Sequence, residues 1–151
     1  MIFKYDQYTV DIDVEKTKAF YARAKRINEV CPCDGCANFE RAVKNLPDQV
    51  RTFFSRMGID PAKVAECYVN TTNKDRTLMY GGFCHVCGTM LTGEFDWPWE
   101  KDAYALGPDF RISFRNEISL LEEGFPKPVI QLEFIANLPW LLEKENTYPR
   151  S

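Results

Sequence analysis

Two cysteine-rich segments constrain this chain more than any other feature: Cys31-Pro32-Cys33-Asp34-Gly35-Cys36 and Cys84-His85-Val86-Cys87-Gly88, each with a C-x2-C element. A glycine in each segment suits a tight turn that aims two sulfurs at one ion. Residues 37–83 separate the two, so a shared ion would tie together distant parts of the chain. Cys33, Cys36, Cys84 and Cys87 form the expected ligand set. Four thiolates in a tetrahedron suit Zn2+ and leave no vacancy for a reacting water, so the expected site is structural.

The segment Cys84-His85-Val86-Cys87-Gly88 resembles a zinc knuckle or zinc ribbon hairpin. The resemblance covers only the residues around the cysteines and implies a local metal geometry without a substrate. Two alternatives stay open: Cys31 replaces Cys33 as a ligand or remains a redox thiol, and His85 replaces a sulfur. His85 adjoins Cys84, and aiming both inward strains the turn, so a hydrogen-bonding role fits it better. Cys67 reads as an inert core thiol in a short amphipathic helix. The single histidine excludes a two-histidine metalloenzyme site, and Asp34 reads as an exposed turn residue, so no catalytic residue emerges.

At 151 residues and 45% apolar content, the chain fits one domain spanning 1–151. Its net charge of -3 provides no pull toward nucleic acid, which ranks only as a third functional reading. No apolar run approaches the roughly twenty residues of a membrane span, and the charged N-terminus lacks a signal-peptide core, so the expected location is cytoplasmic. Six cysteines, five of them in two tight groups, fit metal ligation better than a secreted disulfide scaffold.

The periodicity predicts helices first and a sheet later. Tyr8, Val10, Ile12 and Val14 alternate as a strand, and Asp13 caps a helix over roughly residues 15 to 30. A second helical region follows Cys36, breaks near Leu46-Pro47 and ends at Gly58. Asp60-Pro61 opens a short helix toward Tyr68. Strands are expected at Thr77 to Tyr80, Thr89 to Thr92, Phe110 to Phe114 and Val129 to Ile135. Gly81 and Gly82 let the chain bend into the second cysteine turn. The fold class is α+β: N-terminal helices packed on a mainly antiparallel sheet, with the zinc-knuckle-like site joining the halves.

Glu94-Phe95-Asp96-Trp97-Pro98-Trp99-Glu100 gathers three aromatic rings among acids, either as a loop folded over the core or as a protein-binding patch. Residues 94–123 hold eight acids and three bases, a local charge of -5 that favours a basic partner. Trp140 and Leu141 are expected to pack across the sheet, with an oligomer contact as the other reading. Together these features describe a zinc-binding interaction or accessory domain, with a cysteine-dependent redox enzyme as the alternative.

Overall fold

The structure is a computed structural model that describes residues 1–150. Strands β1 (Ile2–Tyr5) and β2 (Tyr8–Ile12) form a hairpin and lead into helix α1 (Val14–Arg23). Asp13 caps α1 by accepting from the Lys16 amide at 3.0 Å, so Val14 opens the helix instead of closing the strand. The single helix expected to residue 30 is interrupted. Ala24 and Arg26 are extended, and the chain restarts as α2 (Ile27–Val30). The break buries Ile27 and brings the Asn28 amide onto the Glu40 carboxylate at 2.8 Å, which satisfies a free helix-terminal donor.

Helix α3 (Asp34–Ala42) continues into a 3-10 turn at Val43–Asn45, and the chain breaks at Leu46-Pro47 as the proline dictates. Helix α4 (Asp48–Met57) buries Val50, Phe53, Phe54 and Met57 and ends at Gly58, whose φ of 83° is left-handed. Asp60 does cap Pro61–Lys63, but that element is one 3-10 turn. The helix expected toward Tyr68 is instead strand β3 (Glu66–Thr72). Its Tyr68, Val69, Thr71 and Thr72 are residues that suit a pleated surface.

The main correction lies in β4. Residues expected as two strands around a cysteine turn form one strand, Leu78–Thr92, of 15 residues. Strand β7 (Val129–Leu138) pairs along it from Leu78 to Cys87 without a register shift. On its other edge β3 pairs with the Leu78–Phe83 half, and β2 with the Gly88–Thr92 half. Strands β6 (Phe110–Arg115) and β5 (Tyr104–Ala105) complete a seven-stranded sheet, β1-β2-β4-β7-β6-β5, with β3 alongside β4. All strand pairings within it are antiparallel.

One face of this sheet carries the helices. Tyr80, Phe134 and Phe110 lie on it, with Phe39 of α3 against Tyr80 and Phe134, and Phe54 of α4 against Phe110. Burying each such ring contributes about 1.5–3 kcal/mol, enough to fix α3 and α4 on the sheet.

The opposite face, to which β6 presents Arg111, Ser113 and Arg115, is covered near its centre. Ser113, Gln131, Glu133 and His85 are buried there. His85 Nδ1 meets the Glu122 carboxylate at 2.7 Å and Nε2 meets the Gln131 side-chain oxygen at 3.1 Å. Gln131 Oε1 also accepts from the Ser119 amide, and its nitrogen donates to Glu133, which Arg115 neutralises at 3.2 Å. Connected in this way, His85, Gln131 and Glu133 avoid the cost of lost water contacts, whereas the buried Ser113 hydroxyl has no hydrogen-bond partner among the described residues. At the end of β7, Asn38 donates to Pro139 O and accepts from the Leu141 amide. Leu141 is exposed, while Trp140 is partly buried against the core and packs edge-on to Tyr148.

Candidate metal centre

The loop before α3 gathers three thiols. Cys33 is the helix N-cap: its sulfur accepts from the Cys36 amide at 3.4 Å, as a cap oxygen would. Cys31 Sγ lies 3.4 Å from Cys33 Sγ, and the sulfurs of Cys31, Cys33 and Cys36 all fall within 4.8 Å of one another. Cys31 and Cys33 are exposed and Cys36 is buried, so the cluster runs from the surface into the core. A tetrahedral zinc with sulfurs at about 2.3 Å sets neighbouring sulfurs about 3.8 Å apart, a spacing this trio can reach by side-chain rotation.

The surrounding framework holds the loop. Tyr148 accepts from the Gly35 amide at 3.0 Å, and the Tyr80 hydroxyl donates to Gly35 O at 2.7 Å. A Cβ at Gly35 would stand 2.7 Å from the Tyr148 oxygen, so this contact requires glycine. Lys144 reaches the Asp34 carboxylate at 3.1 Å, and Asp34 is exposed, in line with a turn residue.

The three thiols differ in acidity. Burial opposes ionisation of Cys33, but hydrogen bonds from the Cys36 amide and from the Cys36 and Cys31 thiols outweigh it and hold Cys33 below its ordinary value. Donating to Cys33, with a further push from Cys36, raises Cys31 to about 11. The hydrogen bond to Cys67 and burial push Cys36 strongly up. One thiolate placed at Cys33 is thus the favoured ionised form without metal. A divalent ion would displace the remaining protons.

Among the four ligands expected from the sequence, the structure brings together Cys33 and Cys36, joined by Cys31, and holds Cys84 and Cys87 elsewhere in β4. Three positions apart on a strand without a register shift, their side chains leave opposite faces of the sheet and cannot converge on one ion. Both are buried. Burial, with the nearby Glu122, raises the Cys84 thiol, and burial with Asp13 raises Cys87. His85 has both ring nitrogens engaged by oxygens and is not a ligand here. Sequence reasoning also missed Cys67. It lies on β3, with its sulfur 3.7 Å from that of Cys36, and the β-forming run Tyr68-Val69 was the available signal for its strand.

Among the described residues, Cys31, Cys33 and Cys36 are the one group of three or more cysteine, histidine or acidic side chains placed to hold an ion. No helix among them is long and apolar enough to cross a membrane. In comparisons with protein-family models, with curated proteins and with solved structures, the chain matches none.

Proposed function

We propose that this protein is a zinc-binding accessory or interaction domain whose metal is held through Cys31, Cys33 and Cys36. The observation that supports it is the convergence of three thiol sulfurs within 4.8 Å at the start of α3. Thiolate donors favour zinc over harder cations, and the N-terminal end of a helix stabilises the negative charge that they carry. The domain acts as one metal-stabilised unit over 1–151, in a reducing compartment such as the cytoplasm, where its six free cysteines would persist. Metal analysis and native mass spectrometry on protein purified without added metal test the reading. One zinc per chain is expected; protein that neither retains nor takes up zinc sinks it.

The partner surface in this reading is the Trp97/Trp99 region. The two indoles stack at 5.0 Å with 4° between planes and are 41% and 53% exposed. Arg115 packs over Phe95 and Trp97, which steadies the loop from below. Exposed, ordered aromatics beside an acidic segment suit a basic protein partner. Changing Trp97 and Trp99 to Ala is expected to leave the melting temperature within a few degrees and to abolish capture of that partner in a pull-down. Equal capture by the variant would remove this surface from consideration.

A redox reading is favoured by one observation: an exposed, acidified Cys33 caps a helix above the buried Cys36. Such a pair can reduce a low-molecular-weight disulfide. The Cys33 thiolate attacks one sulfur and expels a thiolate; Cys36 then displaces the second, closing a Cys33–Cys36 bond as two electrons pass to the substrate. On metal-free protein, iodoacetamide is expected to modify Cys33 ahead of Cys31, with the Cys33 rate rising at a lower pH than for a free cysteine. Preferential labelling of Cys31 would count against this chemistry.

A further inference from the structure

The trio leaves one corner of a tetrahedron to be filled, and whether water or protein fills it decides what the metal can do. An open corner is the mark of a catalytic zinc, a fourth protein ligand that of a structural one. Cys67 lies beside the inner end of the cluster. Its sulfur is 3.7 Å from Cys36 Sγ, close to the edge of about 3.8 Å that a four-sulfur zinc site requires. The exposed Cys31–Cys33 pair, at 3.4 Å, forms an outer edge, and the buried Cys36–Cys67 pair an inner one. Two such edges are the opposite edges of a tetrahedron.

Resting on the zinc reading above, we propose that Cys67 is the fourth ligand and that the site is Cys31, Cys33, Cys36 and Cys67. Strand β3 places it there. In the β3–β4 register Cys67 stands opposite Gly82, where a Cβ would lie 3.0 Å from the Cys67 Cα, so glycine lets the two backbones approach. Cys67 falls outside the 4.8 Å grouping of the other three sulfurs. Closing the site therefore draws the exposed Cys31–Cys33 loop inward while the packed pair stays in place. Binding converts four thiols into four thiolates around Zn2+, releasing the protons still held and leaving a net charge of -2 at the start of α3.

This site differs from the one read from the sequence, since it joins α3 to β3 across residues 37–66 and takes nothing from Cys84 or Cys87. It also excludes water from the metal, which assigns the zinc to holding the fold and leaves any interaction chemistry to other surfaces.

Zinc-edge X-ray absorption on the zinc-loaded wild-type protein counts the ligand atoms without a mutation. Four sulfurs are expected; three sulfurs with one oxygen or nitrogen would overturn the proposal while the three-thiolate reading stands. Cobalt(II) titration of metal-free wild type, Cys67→Ser and Cys84→Ser, with folding checked by circular dichroism, identifies the fourth sulfur. In the Cys67→Ser variant the d–d bands are expected to move to shorter wavelength and zinc affinity to fall by roughly 100-fold. In Cys84→Ser the spectrum is expected to match wild type. A wild-type spectrum from Cys67→Ser would overturn the assignment of Cys67 even if four sulfurs are counted. A wild-type protein that binds neither zinc nor cobalt would bring down the zinc reading itself, and this proposal with it.

Discussion

Cys36→Ser is expected to release the metal and to lower the stability of the holo-protein by about 5 kcal/mol, the scale on which metal affinity becomes folding free energy. Cys36 links the two halves of the proposed site, since its sulfur belongs to the trio with Cys31 and Cys33 and also lies 3.7 Å from that of Cys67. Cys84→Ser and Cys87→Ser provide the contrast. Each puts a hydroxyl at a buried position and is expected to cost about 1–3 kcal/mol while the metal content stays at the wild-type level. Metal analysis and chemical denaturation on the three variants separate the effects. Loss of metal from Cys87→Ser with retention in Cys36→Ser would reverse the assignment of the site.

The second large effect is expected from Gly82→Ala, a change of one methyl group far from any charged residue of the metal loop. That methyl would stand 2.3 Å from the Glu66 carbonyl oxygen and 2.7 Å from the Phe134 ring, so β3 must move away from β4 or the ring must leave its place on the helix face. A cost of about 3 kcal/mol is expected, at the upper end for overpacking, because backbone is among the atoms that must yield. Gly81→Ala is the control. The three atoms nearest its methyl all belong to the Tyr68 side chain, which is exposed and can swing aside, so a cost below about 1 kcal/mol is expected. Urea denaturation of the pair checks the claim; equal losses would show that β3 is not held by this contact. Because Cys67 pairs with Gly82, weaker zinc binding in Gly82→Ala but not in Gly81→Ala is also expected.

How much of this was legible in the sequence depends on the range over which each signal acts. Asp13, Gly58 and Asp60 act within one helical turn, and all three sit where their side chains or φ angles suggested. The alternation of Phe110, Ile112 and Phe114 likewise gave the correct strand. Its other face is less legible, because the cover over His85 and Gln131 comes from Ser119, Glu122 and Phe125 and leaves no mark in the strand itself. Of the expected metal site, Cys33 and Cys36 do come together, and Cys84 and Cys87 do not join their group. A C-x2-C spacing is shared by a turn that converges and a strand that diverges, and Cys84 to Cys87 is the second case. Run through from Leu78, the segment contains Tyr80, Phe83, Val86, Thr89 and Thr92 without a proline or aspartate to stop a strand, and Gly82, which read as part of a bend, is a point of close backbone approach. Cys67 stayed hidden because its proximity to Cys36 depends on β3 being a strand and on α3 packing against it.

The clasp of Tyr148 over Gly35 bears on the order in which the molecule is put together. Cys36 and Cys67 are 31 positions apart, whereas Gly35 and Tyr148 are 113 apart. Closing the longer loop costs only about 1 kcal/mol more in chain entropy, so thermodynamics hardly distinguishes them. Synthesis does, since a ribosome delivers α3 and β3 well before residue 148 exists. On the zinc reading, an ion can therefore reach the cysteine loop of a nascent chain before Tyr148 has been made, and Tyr148 then closes over Gly35.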